Sequence, residues 1–219
     1  MGMELKSSTV IKLTKNTYSA FSKIYEYRRQ SKIKEFLDFV DLRYETMTVD
    51  NQEKLNEHIN SDFGQEILSS YIDSIIKTSS KRARMATALL FCKDVEFKVI
   101  EVEIRSFVSA MHGMTDDLLD FFLKAAELET QADSKPYPRA GIHHLNFKPF
   151  EDKGWDEEAI FINVNELIGL RLLLPDPITP EGGSFASKNE GWTIWFGITK
   201  TSLKMVSLIR KAESLINET

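Results

Sequence analysis

The sequence predicts a mainly α-helical protein with a small antiparallel β-hairpin near its C-terminal end. Through most of the chain, apolar residues recur at three- and four-residue steps, the spacing that places them on one face of a helix. One segment, Trp192 to Ile198, is instead rich in aromatic and β-branched residues, as strands are. Between these two patterns, Pro136 and Pro138 mark residues 131–140 as a loop, because proline biases its predecessor away from helix.

The N-terminal half is predicted to consist of consecutive helices. The first is one long helix from about Val10 to Tyr44, with no proline or glycine inside it. A polar helix follows from Thr48 to Asn60, and Ser61 or Asp62 then caps a third helix, because a short oxygen-bearing side chain accepts an orphan backbone N–H. The sequence Thr78 to Ser80 ends that third helix.

Three more helices are predicted before the loop. One begins at Lys81, the next spans about Val95 to Met111, and the last follows a cap formed by Gly113 to Asp116. Residues 1–130 are therefore expected to form a helical domain.

Residues 140–219 are predicted to form a second, winged-helix-like domain. Two short apolar runs, Ala159 to Asn163 and Leu172 to Leu174, are expected to be short strands that flank a small helix over about 164–170. The strand from Arg171 to Leu174 should pair with Trp192 to Ile198 across a long polar loop, and Thr199 should cap a final helix. Along the second strand, the even-numbered residues from 192 to 198 should share one face of the hairpin.

Two segments carry a resemblance to a known class of domain. The sequences NELIGLRLL (165–173) and WTIWFGIT (192–199) resemble the wing regions of many bacterial winged-helix proteins. Many such domains read DNA with the small helix, a use that needs cationic and amide side chains on its exposed face. Here Asn165 and Arg171 stand beside the acidic residues 156–158, so protein docking is preferred to DNA readout.

A second resemblance covers most of the chain. The segments DSIIKTSSKRARMATALL (73–90) and TDDLLDFF (115–122), followed by a winged-helix-like end, resemble bacterial proteins related to the Abi-alpha abortive-infection family. The resemblance implies a bacterial or mobile-element setting and a role in phage defence. It implies no catalytic residue.

The composition indicates the cellular compartment and disfavours one class of partner, nucleic acid. The formal net charge is −5 and the isoelectric point is near 5.5, which disfavours a protein that coats nucleic acid. Cys92 is the single cysteine, so no intramolecular disulfide forms and a reducing, cytoplasmic location is expected. No segment approaches the ~20 apolar residues of a membrane-spanning helix.

No motif predicts catalysis, a cofactor or a metal site. His143 and His144 are adjacent and lack the spacing of zinc ligands. Cys92 follows a core-facing pattern and is expected to be a small buried hydrophobe. Asp116 and Asp117 stand at a helix start, where negative charge offsets the helix dipole.

The best candidate for a binding surface is the most basic stretch of the chain. It contains Lys81, Arg82 and Arg84, with Arg28 and Arg29 of the first helix as candidate additions, and it would attract an acidic partner or a phosphate. Residues of the winged-helix-like part complete the candidate contacts: Asn165, Arg171 and Lys188.

The sequence therefore favours a non-enzymatic interaction protein that binds another protein. A homodimer through the first helix is compatible with that interpretation. The alternative is a DNA-binding regulator that uses the winged helix together with the stretch from Lys81 to Arg84. An enzyme built from dispersed carboxylates is the third hypothesis, because one sequence cannot reveal which acids meet in space.

Overall fold

The computed structural model describes residues 5–92, 101–131, 136–178, 184–187 and 191–218. The described chain is mainly helical with a small antiparallel sheet in its C-terminal third, which confirms the predicted fold class. The helices are α1 (Leu5–Glu45), α2 (Val49–Asn60), α3 (Asp62–Lys77), α4 (Lys81–Phe91), α5 (Glu101–Ala110), α6 (Asp116–Ala125), α7 (Lys148–Glu151), α8 (Glu157–Gly169) and α9 (Lys200–Asn217). The strands are β1 (Arg139–His143), β2 (Leu174–Pro175), β3 (Ser184–Ser187) and β4 (Gly191–Gly197).

The predicted order of the N-terminal helices is confirmed. The first is a single helix of 41 residues, roughly 60 Å long at about 1.5 Å per residue. The break over Thr78–Ser80 separates α3 from α4 as expected. Part of the predicted helix from Val95 to Met111 is seen as α5, and residues 93–100 lie outside the described part of the chain.

Side-chain caps define where three helices begin. The Ser80 hydroxyl accepts from the Ala83 N–H at 3.0 Å, and the Thr115 hydroxyl accepts from the first turn of α6. At the start of α9, Thr199 and Ser202 each accept from the other's backbone N–H, a reciprocal capping box. These caps satisfy donors that a helix cannot pair internally, so they set the boundaries that the sequence predicted.

Strand β4 is the centre of the sheet. It pairs antiparallel with β1 along one edge, and with β2 and β3 along the other. Leu174 lies opposite Gly197, so the predicted contact between these two chain segments is present, although β2 is only two residues long. The predicted alternation is also confirmed: Trp192, Ile194 and Phe196 are buried, while the residues between them are partly exposed.

Two elements differ from the prediction. Residues Ala159–Asn163, expected as a strand, lie inside α8, because Asp156 caps a helix that begins at Glu157 and its carboxylate accepts from the Ala159 N–H at 2.8 Å. A five-residue apolar run fits one face of either element, so its pattern alone could not decide. Residues 139–143, placed at the edge of the loop, form β1, the strand that pairs along most of β4.

One continuous core joins the two predicted domains. Helix α4 lies at its centre and packs against α1, α3, α6 and α9. Residues Ala83 to Cys92 are all buried, and Cys92 is 2% exposed, as predicted for a core cysteine. Because α9 closes over a helix of the N-terminal region, the two regions share apolar residues rather than meeting at a polar boundary. In the described residues, no helix is long and apolar enough to cross a membrane.

A buried ion pair secures the outer edge of the sheet. The Arg139 Nη1 lies 3.2 Å from both carboxylate oxygens of Asp176, whose side chain is fully buried. The Arg139 guanidinium also stacks 3.9 Å above the Trp195 ring, and that ring lies flat against Gly141. Only a residue without a side chain leaves room for the ring, since a Cβ at Gly141 would lie 2.7 Å from it.

We therefore expect Gly141→Ala to destabilise the protein by about 1–3 kcal/mol, because the ring must move and take the Arg139 guanidinium with it. Gly169→Ala is the matched control: a Cβ there meets nothing within 4 Å, and alanine favours the helix by about 0.5 kcal/mol. Urea unfolding of both variants measures the difference. Equal stability of the two variants would contradict the packing described.

Candidate interaction surfaces

Arg82 is held inside an ion-pair network rather than presented to solvent. Its Nε lies 3.0 Å from Asp116 Oδ1, and its Nη1 lies 2.6 Å from Asp120 Oδ1 and 3.5 Å from Glu213 Oε1. Its side chain is 14% exposed. Burial alone would lower the pKa of Arg82, but its hydrogen bonds with Asp120 and Asp116 outweigh burial and raise it. This arginine therefore links α4 to α6 and α9.

Arg84 is buried on the other side of α4. Its Nε donates to Glu35 of α1, and its Nη1 donates to the Thr78 carbonyl at 3.3 Å. The Lys32 Nζ lies nearby and donates to the Ile76 carbonyl at 2.7 Å. Burial, and then the positive charges of Arg84 and Arg28, lower the pKa of Lys32.

The remaining predicted contact residues that the structure describes, Lys81, Asn165 and Arg171, are all exposed. Lys81 is exposed, with its Nζ 5.8 Å from the centre of the Phe39 ring. Asn165 is exposed on α8, where its Nδ2 donates to the Phe161 carbonyl at 2.8 Å. Arg171 follows α8 with a backbone φ of 60° and lines a cavity of about 280 Å³ with Ser106 and Ser109 of α5. Lys188 lies outside the described residues. Of the five predicted residues that the structure describes, Arg82 and Arg84 are held in ion pairs with acids of the protein, so these five do not present one basic patch.

The outward face of α8 is acidic and partly apolar. Ile160, Val164 and Leu167 are buried in the core and Phe161 packs beside them against Trp192, whereas Ile162, Asn165 and Glu166 are exposed on the opposite side of the helix. The exposed side chains include Ile162, which is 55% exposed, and three glutamates: Glu157, Glu158 and Glu166. No lysine or arginine lies between Glu157 and Gly169. This face combines negative charge with an exposed apolar side chain.

The N-terminal part of α1 has the opposite charge. Residues 5–34 contain six lysines and two arginines against a single acid, Glu26, for a net charge of +7. The rest of the chain has 20 cations against 32 acids, for a net charge of −12. We call residues 5–34 the basic segment. Its described side chains from 22 to 31 are all exposed, so the body of the protein does not cover them.

The sequence motifs pointed to Arg28 and Arg29 only as additions to the stretch from Lys81 to Arg84, and the total charge gave no sign of the basic segment as a whole. The overall value of −5 conceals two opposite local charges. Counting charges in windows along the chain would have found the segment, whereas the most basic short stretch, Lys81 to Arg84, is largely internal.

The histidines provide no metal site among the described residues. The rings of His143 and His144 are 6.1 Å apart between centroids, and the Nδ1 of His143 accepts from the Leu145 N–H at 3.2 Å. No group of three or more histidine, cysteine, aspartate or glutamate residues in the described ranges is arranged to hold a metal ion.

Two cavities bear on the enzyme hypothesis. One, of about 550 Å³, lies between α4, α6 and α9, and its carboxylates Asp120, Glu127 and Glu213 are all engaged in ion pairs. The other, of about 310 Å³, lies between α3 and α5 and is lined by Asp73, His112 and several serines. Among the described contacts, no hydrogen bond joins His112 to Asp73 or to a serine of this cavity. Neither cavity presents an assembled acid–base pair.

Comparison with known proteins adds no assignment. No family model matches the chain, and neither a curated protein nor a solved structure matches it.

We expect Glu35→Gln to lower the free energy of unfolding by about 2 kcal/mol, because the buried Arg84 loses its counter-charge while Lys32 and Arg28 lie close by. Glu53→Gln, on the exposed side of α2, is the control and should change stability by less than about 0.5 kcal/mol. Urea denaturation measures both. If Glu35→Gln unfolds at the wild-type midpoint, Arg84 does not depend on this pair.

Proposed function

We propose that the protein is a non-enzymatic interaction module whose C-terminal part binds a protein partner through α8. The observation that carries the proposal is the outward face of that helix, which has exposed glutamates around Ile162 and no cation along its length. A partner that fits this face presents a basic, partly apolar segment. Affinity then comes from apolar burial, and charge complementarity sets partner choice and association rate.

The order of elements supports a winged-helix-type scaffold for this face. Helix α6, strand β1, helices α7 and α8, and strands β2 to β4 follow one another, with β4 lying between β1 and the β2–β3 edge. Between α7 and α8 the chain turns at Gly154, whose backbone φ is 92°. A short glycine-containing turn between two helices is also typical of the helix-turn-helix, in which the second helix contacts the target.

The alternative, a DNA-binding regulator, is less favoured by the same geometry. A helix that reads the major groove places cationic and amide side chains against bases that are flanked by phosphates. On α8 only Asn165, which is exposed, and Asn163, which is half-buried, meet that need, and three glutamates would face the phosphates. Arg82 and Arg84, the cations expected to supply affinity, are paired with acids of the protein itself.

The setting is part of the proposal. A cytoplasmic location follows from the single cysteine, which is buried at the end of α4. A role in phage defence or the stress response follows from the resemblance to the Abi-alpha family.

Photo-crosslinking tests the proposed face. We expect a photoreactive amino acid at Ile162 to form a discrete adduct with a protein, because this side chain is exposed within the docking face. The same amino acid at Leu203, which is similarly exposed on α9, serves as the control and should not form that adduct. Adding Glu158→Lys and Glu166→Lys should abolish the adduct at position 162.

Two results would contradict the proposal. One is the same pattern of adducts at positions 162 and 203. The other is salt-sensitive binding to duplex DNA that Asn165→Ala weakens, since that result would place α8 against nucleic acid.

A further inference from the structure

We propose that the basic segment of α1 in one copy of the protein docks on the acidic face of α8 in a second copy. The inference rests on the proposed function, because it names the partner of the same face. The contact joins two different surfaces, so it is head-to-tail. When each copy makes the same contact with the next, the copies form a ring or an open chain.

The basic segment presents apolar groups that its own chain leaves uncovered. Among the exposed residues of α1, Ile24, Tyr25 and Tyr27 are 54%, 63% and 74% exposed. An isolated apolar side chain on a surface is ordinary, but three within four residues, surrounded by lysines and arginines, form an amphipathic docking element. On the opposing face, Ile162 provides an apolar contact among glutamates.

Charge selects the occupant. A symmetric contact between two basic segments would bring two charges of +7 together, whereas the rest of each copy has a charge of −12. At about 4 Å, an opposite-charge pair near a protein surface attracts by up to about 4 kcal/mol before desolvation and screening, and a like-charge pair repels equally. Lys23, Arg28 and Arg29 therefore favour a surface that presents carboxylates. The exposed face of α8 in another copy meets that requirement.

The contact is intermolecular. Within one chain, residues 22–31 and the outward face of α8 are both exposed, so neither covers the other. Helix α1 contains no proline or glycine between Leu5 and Glu45, and such residues are where sharp helix kinks occur. The basic segment therefore cannot fold back onto its own α8 without breaking the helix.

Two charge-reversed full-length variants test the proposal. The first, Arg28→Glu with Arg29→Glu, disables the basic segment; the second, Glu158→Lys with Glu166→Lys, disables the α8 face. A control, Lys77→Glu with Lys200→Glu, alters two exposed lysines elsewhere. Sedimentation velocity is measured for each protein alone and for an equimolar mixture of the first two variants.

We expect the wild type and the control to associate with rising concentration, and to do so less at high salt. Each of the first two variants alone should associate roughly a hundredfold more weakly or remain monomeric. Their mixture should associate again, because the intact basic segment of one variant meets the intact α8 face of the other, and the two reversed surfaces also carry opposite charges. A symmetric dimer through α1 would instead leave the association of the Glu158→Lys, Glu166→Lys variant undiminished, because α1 is unchanged in that variant.

A mixture that remains monomeric overturns the inference, as does undiminished association of either variant alone. A wild type that is monomeric at every concentration overturns it as well, including the case in which the basic segment instead binds nucleic acid or another acidic protein. If position 162 still forms its adduct with a different protein, the proposed function of α8 stands and only the identity of the partner is wrong.

Discussion

The burial of α4 around its whole circumference is the constraint on which the rest of the structure depends. Helices from both ends of the chain pack against it, and Met85 and Leu89, each at most 1% exposed, contribute about 2 kcal/mol apiece by burial. Two arginines of α4 are also largely buried, and a buried charge needs a counter-charge. Arg84 pairs with Glu35 of α1. Arg82 pairs with three acids: Asp116, Asp120 and Glu213. These pairs connect α4 with the first helix, the sixth and the last.

Because these arginines are paired inside the fold, the charge of each outer surface is set by other residues. Arg82 and Arg84 of α4 are neutralised by acids within the fold, so they add little to the electric field outside it. Residues 22–31 of the basic segment keep their cations exposed, and the outward face of α8 keeps its carboxylates exposed. The protein therefore presents two surfaces of opposite charge, each with exposed apolar side chains, and both proposals follow from that separation.

Much of the fold could be predicted from the sequence, because its signals are local. Short polar side chains cap α4, α6 and α9 in the way that their own spacing indicates. Strand β1 could not be predicted, since glycine is unfavourable in strands and Gly141 is required only because the Trp195 ring, distant in sequence, packs against it. The site was predicted less well for the same reason: Lys81, Arg82 and Arg84 appear as one patch until helix geometry and distant acids separate them. An ion pair between residues far apart in sequence leaves no pattern in the sequence around either residue.

The central claim is that both regions of the chain form one cooperative unit around α4, and the chain contains natural probes of it. Cys92, the single cysteine, lies buried at the end of α4, whereas all three tryptophans, Trp155, Trp192 and Trp195, lie in the C-terminal region. Pulsed thiol labelling and tryptophan fluorescence should be followed across the same urea titration. Coincident midpoints are expected from a shared core. If Cys92 becomes reactive while the fluorescence remains native, or the reverse, the two regions unfold independently and the account is wrong.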